Sequence, residues 1–322
     1  MPRIPDKNYF DMISGKTGFL ALPLEKLYRL IEILSEVNRG ELKQYLALRG
    51  GTAINLCYNQ LPRLSIDIDL VLTRNGDKSN MTRDRHVVRQ RIMEILKSGG
   101  YKVDSHLNEY ALDRFEAKYT NIFGSADRVK VEINYVSSRV PIFPTANAEP
   151  FDLFDTSPEQ IRTLSREEIY GSKIEALIKR HAPRDLFDVC ALARSNHHMD
   201  SSKLRKCTIF SCCAEIPWDF RAGLRSNPAD TITEKEVASD LRPYLVRDIG
   251  FDLSEAKKTV GDFCRELFRF DSHELDFLKN LFEKNEYVID LLFPGAKHLR
   301  DHPGMKWRLQ QIADGGVRAR SE

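Results

Sequence analysis

No stretch of this 322-residue chain stays apolar long enough to span a membrane, which excludes a helical integral membrane protein. The opening residues, Met-Pro-Arg-Ile-Pro-Asp-Lys, lack the apolar core of a secretory signal, so the expected location is the cytoplasm. Six cysteines, at 57, 190, 207, 212, 213 and 264, are few and irregularly spaced, so no disulfide framework is expected. His197-His198 followed by Cys207, Cys212 and Cys213 fits no familiar zinc module, and the expectation is reduced, partly buried thiols. A net charge of only +2 does not by itself announce a nucleic-acid binder. There is no internal repeat, and the only biased tract is a short Gly/Arg tail at 315–320. With 42% apolar and 30% charged residues the chain has no disorder signature, and its length accommodates two domains.

What is present is a pair of motifs close together. Leu48-Arg49-Gly50-Gly51-Thr52-Ala53 is followed by Ser65-Ile66-Asp67-Ile68-Asp69-Leu70-Val71. A Gly-Gly-Thr turn opening a helix exposes backbone N–H groups and the positive end of the helix dipole, which suits an anion. Asp67 and Asp69, two apart on a strand, project to one face and can share Mg²⁺ ions. An acid-x-acid triplet alone is weak, since about seven are expected by chance at this acid content. Context strengthens it. Residues 66–72 alternate apolar and acidic before turning apolar, as a strand entering a core does. Two carboxylates there repel each other unless a cation offsets them.

Around this motif the pattern reads as mixed structure. Residues 23–37 predict a helix through Leu27, Leu30, Ile31 and Leu34, and Tyr45–Leu48 a short strand. Thr52 is the expected N-cap of a brief helix reaching about Asn59. Residues 82–98 form an amphipathic helix with Val88, Ile92, Ile95 and Leu96 inward, stopped by Gly99-Gly100. Strands are expected over 101–107, 110–122 and 128–136. In the last, Val129, Val131, Ile133 and Tyr135 share one face, and Lys130, Glu132 and Asn134 the other. Glu132 is thus a candidate third metal carboxylate or an ordinary strand glutamate. Proline density over 141–160 marks an expected linker, dividing the chain into domains 1–150 and 151–322. Helices follow near 165–180, 184–195, 234–247, 253–269 and 272–292. Net charge is +4 for residues 1–150 and −2 for 151–322, and eight basic side chains crowd residues 74–102 against three acids. That cluster either steers a phosphate backbone or is a solvated helix face.

The second constellation lies beyond the linker. Ser165-Arg-Glu-Glu168 is a capping-box pattern, and Lys173 interrupts the apolar stripe of Ile169 and Leu177. Arg180 follows, His181-Ala-Pro183 breaks the helix, and Arg184-Asp185-x-x-Asp188 opens another. Lys173, Arg180, Arg184 and Asp188 belong either to a binding site or to ion pairs that fix the helix pair.

Leu48-Arg49-Gly50-Gly51-Thr52, Arg63-x-Ser65-x-Asp67-x-Asp69-Leu-Val and Lys173…Arg180…Arg184-Asp185-x-x-Asp188 together resemble the AbiEii/AbiGii nucleotidyltransferase toxins, within the DNA polymerase β-like superfamily. The resemblance spans roughly residues 20–195. It implies an α+β fold: a nucleotidyltransferase domain with a mixed sheet flanked by helices, then a mainly helical domain, with NTP and Mg²⁺ (or Mn²⁺) in a groove between. Asp67 and Asp69 would hold the metals, with Glu132 as third acid. Gly50, Gly51, Thr52 and Ser65 would line the nucleotide, Lys173 would neutralise phosphate charge, and Arg180 or Arg184 could contact phosphates. Asp188 would orient Lys173 or assist the attacking hydroxyl. The implied partners are NTP, a tRNA 3′ end as acceptor and a cognate antitoxin. Two rivals remain: a haloacid-dehalogenase-type phosphatase, from Asp67-x-Asp69, and a catalytically silent nucleotide- or RNA-binding module.

Overall fold

In a computed structural model of the chain, the described residues are 4–59, 62–74, 78–107, 112–135, 140–156, 159–195, 199–216, 219–225, 227–247 and 249–313. They divide into two compact units. The first comprises Met1–Ser165 with Arg242–Gly250, and the second Arg166–Leu241 with Phe251–Glu322. His197, His198 and the 315–320 tail lie outside the described residues.

The first unit contains helices α1 (Lys7–Thr17), α2 (Ala21–Arg39), α3 (Gly50–Ala53) and α4 (Lys78–Ser98). Its strands are β1 (Leu46–Leu48), β2 (Asp67–Leu72), β3 (Lys102–Leu107), β4 (Leu112–Thr120), β5 (Ala126–Asn134), β6 (Ala146–Ala148) and β7 (Ile161–Thr163). All seven join one sheet in the order β3-β4-β5-β2-β1-β7-β6. The β2–β5 and β1–β7 pairs are parallel and the others antiparallel, so the sheet is mixed. Helix α2 forms because its apolar residues recur every three to four positions, and Leu24, Leu27, Leu30 and Leu34 are all fully buried. From β5, Val129, Val131 and Ile133, with Tyr135 just beyond its end, are likewise fully buried, on the face the alternation predicts.

Residues 141–160, expected as a linker, instead carry edge strand β6, and the sheet continues past residue 150 to β7. The prolines break periodicity without ending the unit, because Pro is tolerated beside an edge strand. Part of the basic strip of 74–102 is paired with acids inside the protein. Arg85 and Arg89 converge on the fully buried Asp113 at 2.6 and 2.7 Å, and Arg91 meets Glu41 and Glu94. Burial would raise the Asp113 carboxyl, but the two guanidiniums outweigh it and hold it below the usual range. Arg85 and Arg89 therefore brace α4 against β4.

The second unit is helical: α5 (Arg166–Arg180), α6 (Pro183–Arg194), α7 (Ser201–Glu215), α8 (Glu234–Asp240), α9 (Leu253–Leu267), α10 (Ser272–Lys284) and α11 (Pro303–Ala313). Helices α5 and α7 pack so closely that a Cβ on Gly171 would sit 2.9 Å from the Cys207 backbone. The helix expected over 234–247 stops at Asp240, because residues 242–250 belong to the first unit. The six cysteines are unbridged, and all but half-buried Cys57 are buried. Desolvation raises the thiols of Cys207 and Cys212 well above the ordinary value, as burial in a packed helical core does. Among the described residues no helix is long and apolar enough to cross a membrane.

Candidate active site

The sheet register assembles the acidic centre. Strand β1 pairs with β2 so that Leu48 faces Leu70, and Arg49 N–H then donates to the Asp69 carbonyl at 2.9 Å. That bond lays the next residue, Gly50, across the Asp69 side chain. A Cβ on Gly50 would lie 2.7 Å from Asp69 Oδ2, and Gly50 has φ +73°, a left-handed conformation that strains other residues. The diglycine bend and the carboxylate therefore do converge. Asp67 and Asp69 are half-buried on one face of β2, while Ile68 and Leu70 enter the core.

Thr52 plays a different local role from the one expected. The cap position of α3 is Arg49, with no side-chain capping bond, and Thr52 lies inside the helix, fully buried. Its hydroxyl donates to the Asp67 carbonyl at 2.5 Å and lies 3.0 Å from Ser65 Oγ. Thr52 thus ties the glycine turn to the carboxylate strand, and its side chain is committed inside the protein. The Ser65 N–H donates to Asn55 Oδ1 at 3.1 Å. Asn55, buried in the π-helical turn Ile54–Tyr58, is a bracing residue that the sequence motif gave no reason to single out.

Strand β5 runs parallel to β2 with Asp69 opposite Glu132 and Asp67 opposite Lys130. Glu132 therefore shares the face of the aspartates. Its Oε1 is already held by Arg114 at 2.7 Å and Lys130 at 2.8 Å. Burial pushes the Glu132 carboxyl up, but these cations outweigh it and keep it below the ordinary range. Among the described residues no three acids, histidines or cysteines group as a metal site. A separate cavity of about 440 Å³ in this unit is lined by Ile66, Leu20, Leu22 and Tyr244 but by neither aspartate.

In the second unit, Lys173, Arg180, Asp185 and Asp188 form one charged cluster. Lys173 Nζ lies 2.9 Å from Asp185 Oδ1 and 3.1 Å from Asp188 Oδ2. Both carboxylates are fully buried and the lysine nearly so. Arg180 grips Asp185 through Nε at 2.6 Å and Nη2 at 2.9 Å, while its side chain stays 61% exposed. Burial would raise Asp185, yet Lys173 and Arg180 hold it well below the usual carboxylate range. Asp185, quoted in the motif but given no role, is the hub, and Asp188 is the second partner of Lys173. Arg184 is half-buried at the start of α6.

The first unit is thus a mixed sheet with two carboxylates on one strand face beside a glycine turn. The family described as nucleotidyl transferase AbiEii toxin, of type IV toxin–antitoxin systems, matches residues 32–256, and the chain belongs to it. Among solved structures, the nucleotidyltransferase toxin MenT4 from Mycobacterium tuberculosis H37Rv is similar at a TM-score of 0.61 and 12% identity. The alignment covers 94% of this chain and 98% of that one, a likeness of fold. No curated protein matches the sequence.

Proposed function

We propose that this toxin transfers a nucleotide from an NTP to an acceptor hydroxyl, with the 3′ end of tRNA as the acceptor. The observation that carries the reading is the contact between Gly50 and Asp69, where a missing Cβ leaves room for a carboxylate beside a turn of backbone N–H groups. The donor set fits Mg²⁺ (or Mn²⁺): two hard carboxylates on one strand face, with the remaining ligands left to phosphate and water. Asp67 and Asp69 would hold the ion, which when bound supplies charge neutralisation on the phosphates and a more acidic acceptor hydroxyl. Glu132 supports the pair from the next strand, its charge shared with Lys130 and Arg114.

The chain's own residues do the rest. Gly50 and Gly51 present N–H groups to the triphosphate, and Ser65 lines the same turn. Thr52 holds the two segments in register through its hydroxyl. In the second unit Asp185 and Asp188 orient Lys173, and Arg180 and Arg184 are further cations of the same helix pair. Family membership implies an antitoxin partner.

The test is incubation of the protein with each of four α-labelled NTPs, Mg²⁺ and total RNA, resolved on a denaturing gel. A labelled tRNA-sized band is expected from the wild type, and none from Asp67→Ala at unchanged melting temperature. Full labelling by that variant would refute the assignment.

A further inference from the structure

Residues 242–250 come late in the chain, after α8, yet fold as part of the first unit. There they run antiparallel to residues 62–64. Leu64 N–H donates to the Tyr244 carbonyl at 2.8 Å, Val246 N–H donates to the Pro62 carbonyl at 3.0 Å, and Arg63 and Leu245 bridge between them. Leu64 and Leu245 are both buried. Arg247 N–H then donates to the Gly18 carbonyl at 2.8 Å. Gly18, at φ +78°, lets Val246 in: a Cβ there would lie 2.8 Å from Val246 Cγ1.

Residues 62–66 lie just ahead of β2 and outside the seven-stranded sheet. They lead directly into Ser65 and Asp67. Their N-terminal end is thus fixed by the 244–246 backbone, and their C-terminal end by Asn55 and Thr52. We propose that residues 244–246 are a positioning strand for the carboxylates, held by their backbone pairing with residues 62–64, with Gly18 as the positioning residue whose missing Cβ admits Val246. The activity part rests on the transferase reading. The physical basis is that a displacement of about 1 Å at a reacting group costs on the order of 100-fold in rate.

The experiment uses the full chain as wild type, Gly18→Ala, Val246→Ala and the double variant. Native-state hydrogen exchange at Leu64, melting temperature and nucleotide transfer are measured for each. Gly18→Ala should speed Leu64 exchange and lower kcat by roughly tenfold each while KM for NTP stays within about twofold. In the double variant Val246 Cγ1 is gone, and the nearest atoms to the new Cβ lie at 3.9 and 4.0 Å. Exchange and kcat should both recover there, although the strain at residue 18 persists. A helix-capping role for Gly18 would show no such rescue.

Wild-type exchange at Leu64 in Gly18→Ala, or a double variant no better than the single, overturns the proposal. So does loosened Leu64 with undiminished transfer. If Gly18→Ala does not fold, the wild type decides: Leu64 and Val246 amides should be protected to a similar degree, and rapid exchange at either refutes the pairing. Should the wild type transfer nothing to any acceptor, the transferase reading fails by itself, and positioning fails with it only if exchange is also unmoved.

Discussion

Replacing Lys173 with methionine separates a structural cluster from a phosphate-binding one. The ammonium is shared by Asp185 and Asp188 at 2.9 and 3.1 Å, and both carboxylates are fully buried. Removing one member of a buried ionic group costs about 3–5 kcal/mol, because the remaining charges are left undercompensated. At roughly 2–4 °C per kcal/mol for a unit of this size, melting should fall by about 6–20 °C. Arg180→Met is the control. Its side chain is 61% exposed, so solvent screens the pair, and a loss of about 0–1 kcal/mol follows. The acid limb gives a second readout. Asp185 has a lowered folded pKa, so its stabilisation is full above the unfolded value near 3.9 and is lost as pH falls below it. Lys173→Met should flatten that limb. Circular dichroism melts from pH 2.5 to 7, with nucleotide transfer at pH 7, provide the assay. Lys173→Met melting within about 2 °C of wild type would refute the structural reasoning, and abolished transfer in that same protein would place the lysine's value at the phosphates.

Gly50→Ala should lower transfer on the order of 100-fold, since its Cβ would sit 2.7 Å from Asp69 Oδ2 and displace that carboxylate; wild-type turnover would show the contact is dispensable. His302 is fully buried against Phe210, ring centroids 4.9 Å apart, and desolvation lowers its pKa to about 4. Its folded value lies below the unfolded 6.5, so stability is full above pH 6.5 and drops as pH falls toward 4, by about 3 kcal/mol. His302→Phe should abolish that slope in pH-dependent melts, and an unchanged slope would assign it to another group.

Local pattern made much of this protein legible. The period-two alternation put Asp67 and Asp69 on one face of β2, and set Glu132 against the apolar side of β5, because strand side chains alternate whatever surrounds them. The 3.6-residue stripe of α5 likewise exposed Lys173 as a charge among buried neighbours. Helix α7 was missed because Leu204, Cys207, Thr208, Ile209, Phe210, Cys212 and Cys213 are all buried, so no polar face marks its period.

Tertiary structure decided what pattern leaves open. The partner of a strand residue depends on register, and β2–β5 register placed Glu132 opposite Asp69 while Arg114 and Lys130 took up its oxygen. Asp185 draws in both Lys173 and Arg180 across a helix break, which spacing alone does not reveal. The pairing of residues 62–64 with 244–246 joins segments about 180 positions apart, a contact set by burial and backbone hydrogen bonds that no local periodicity encodes.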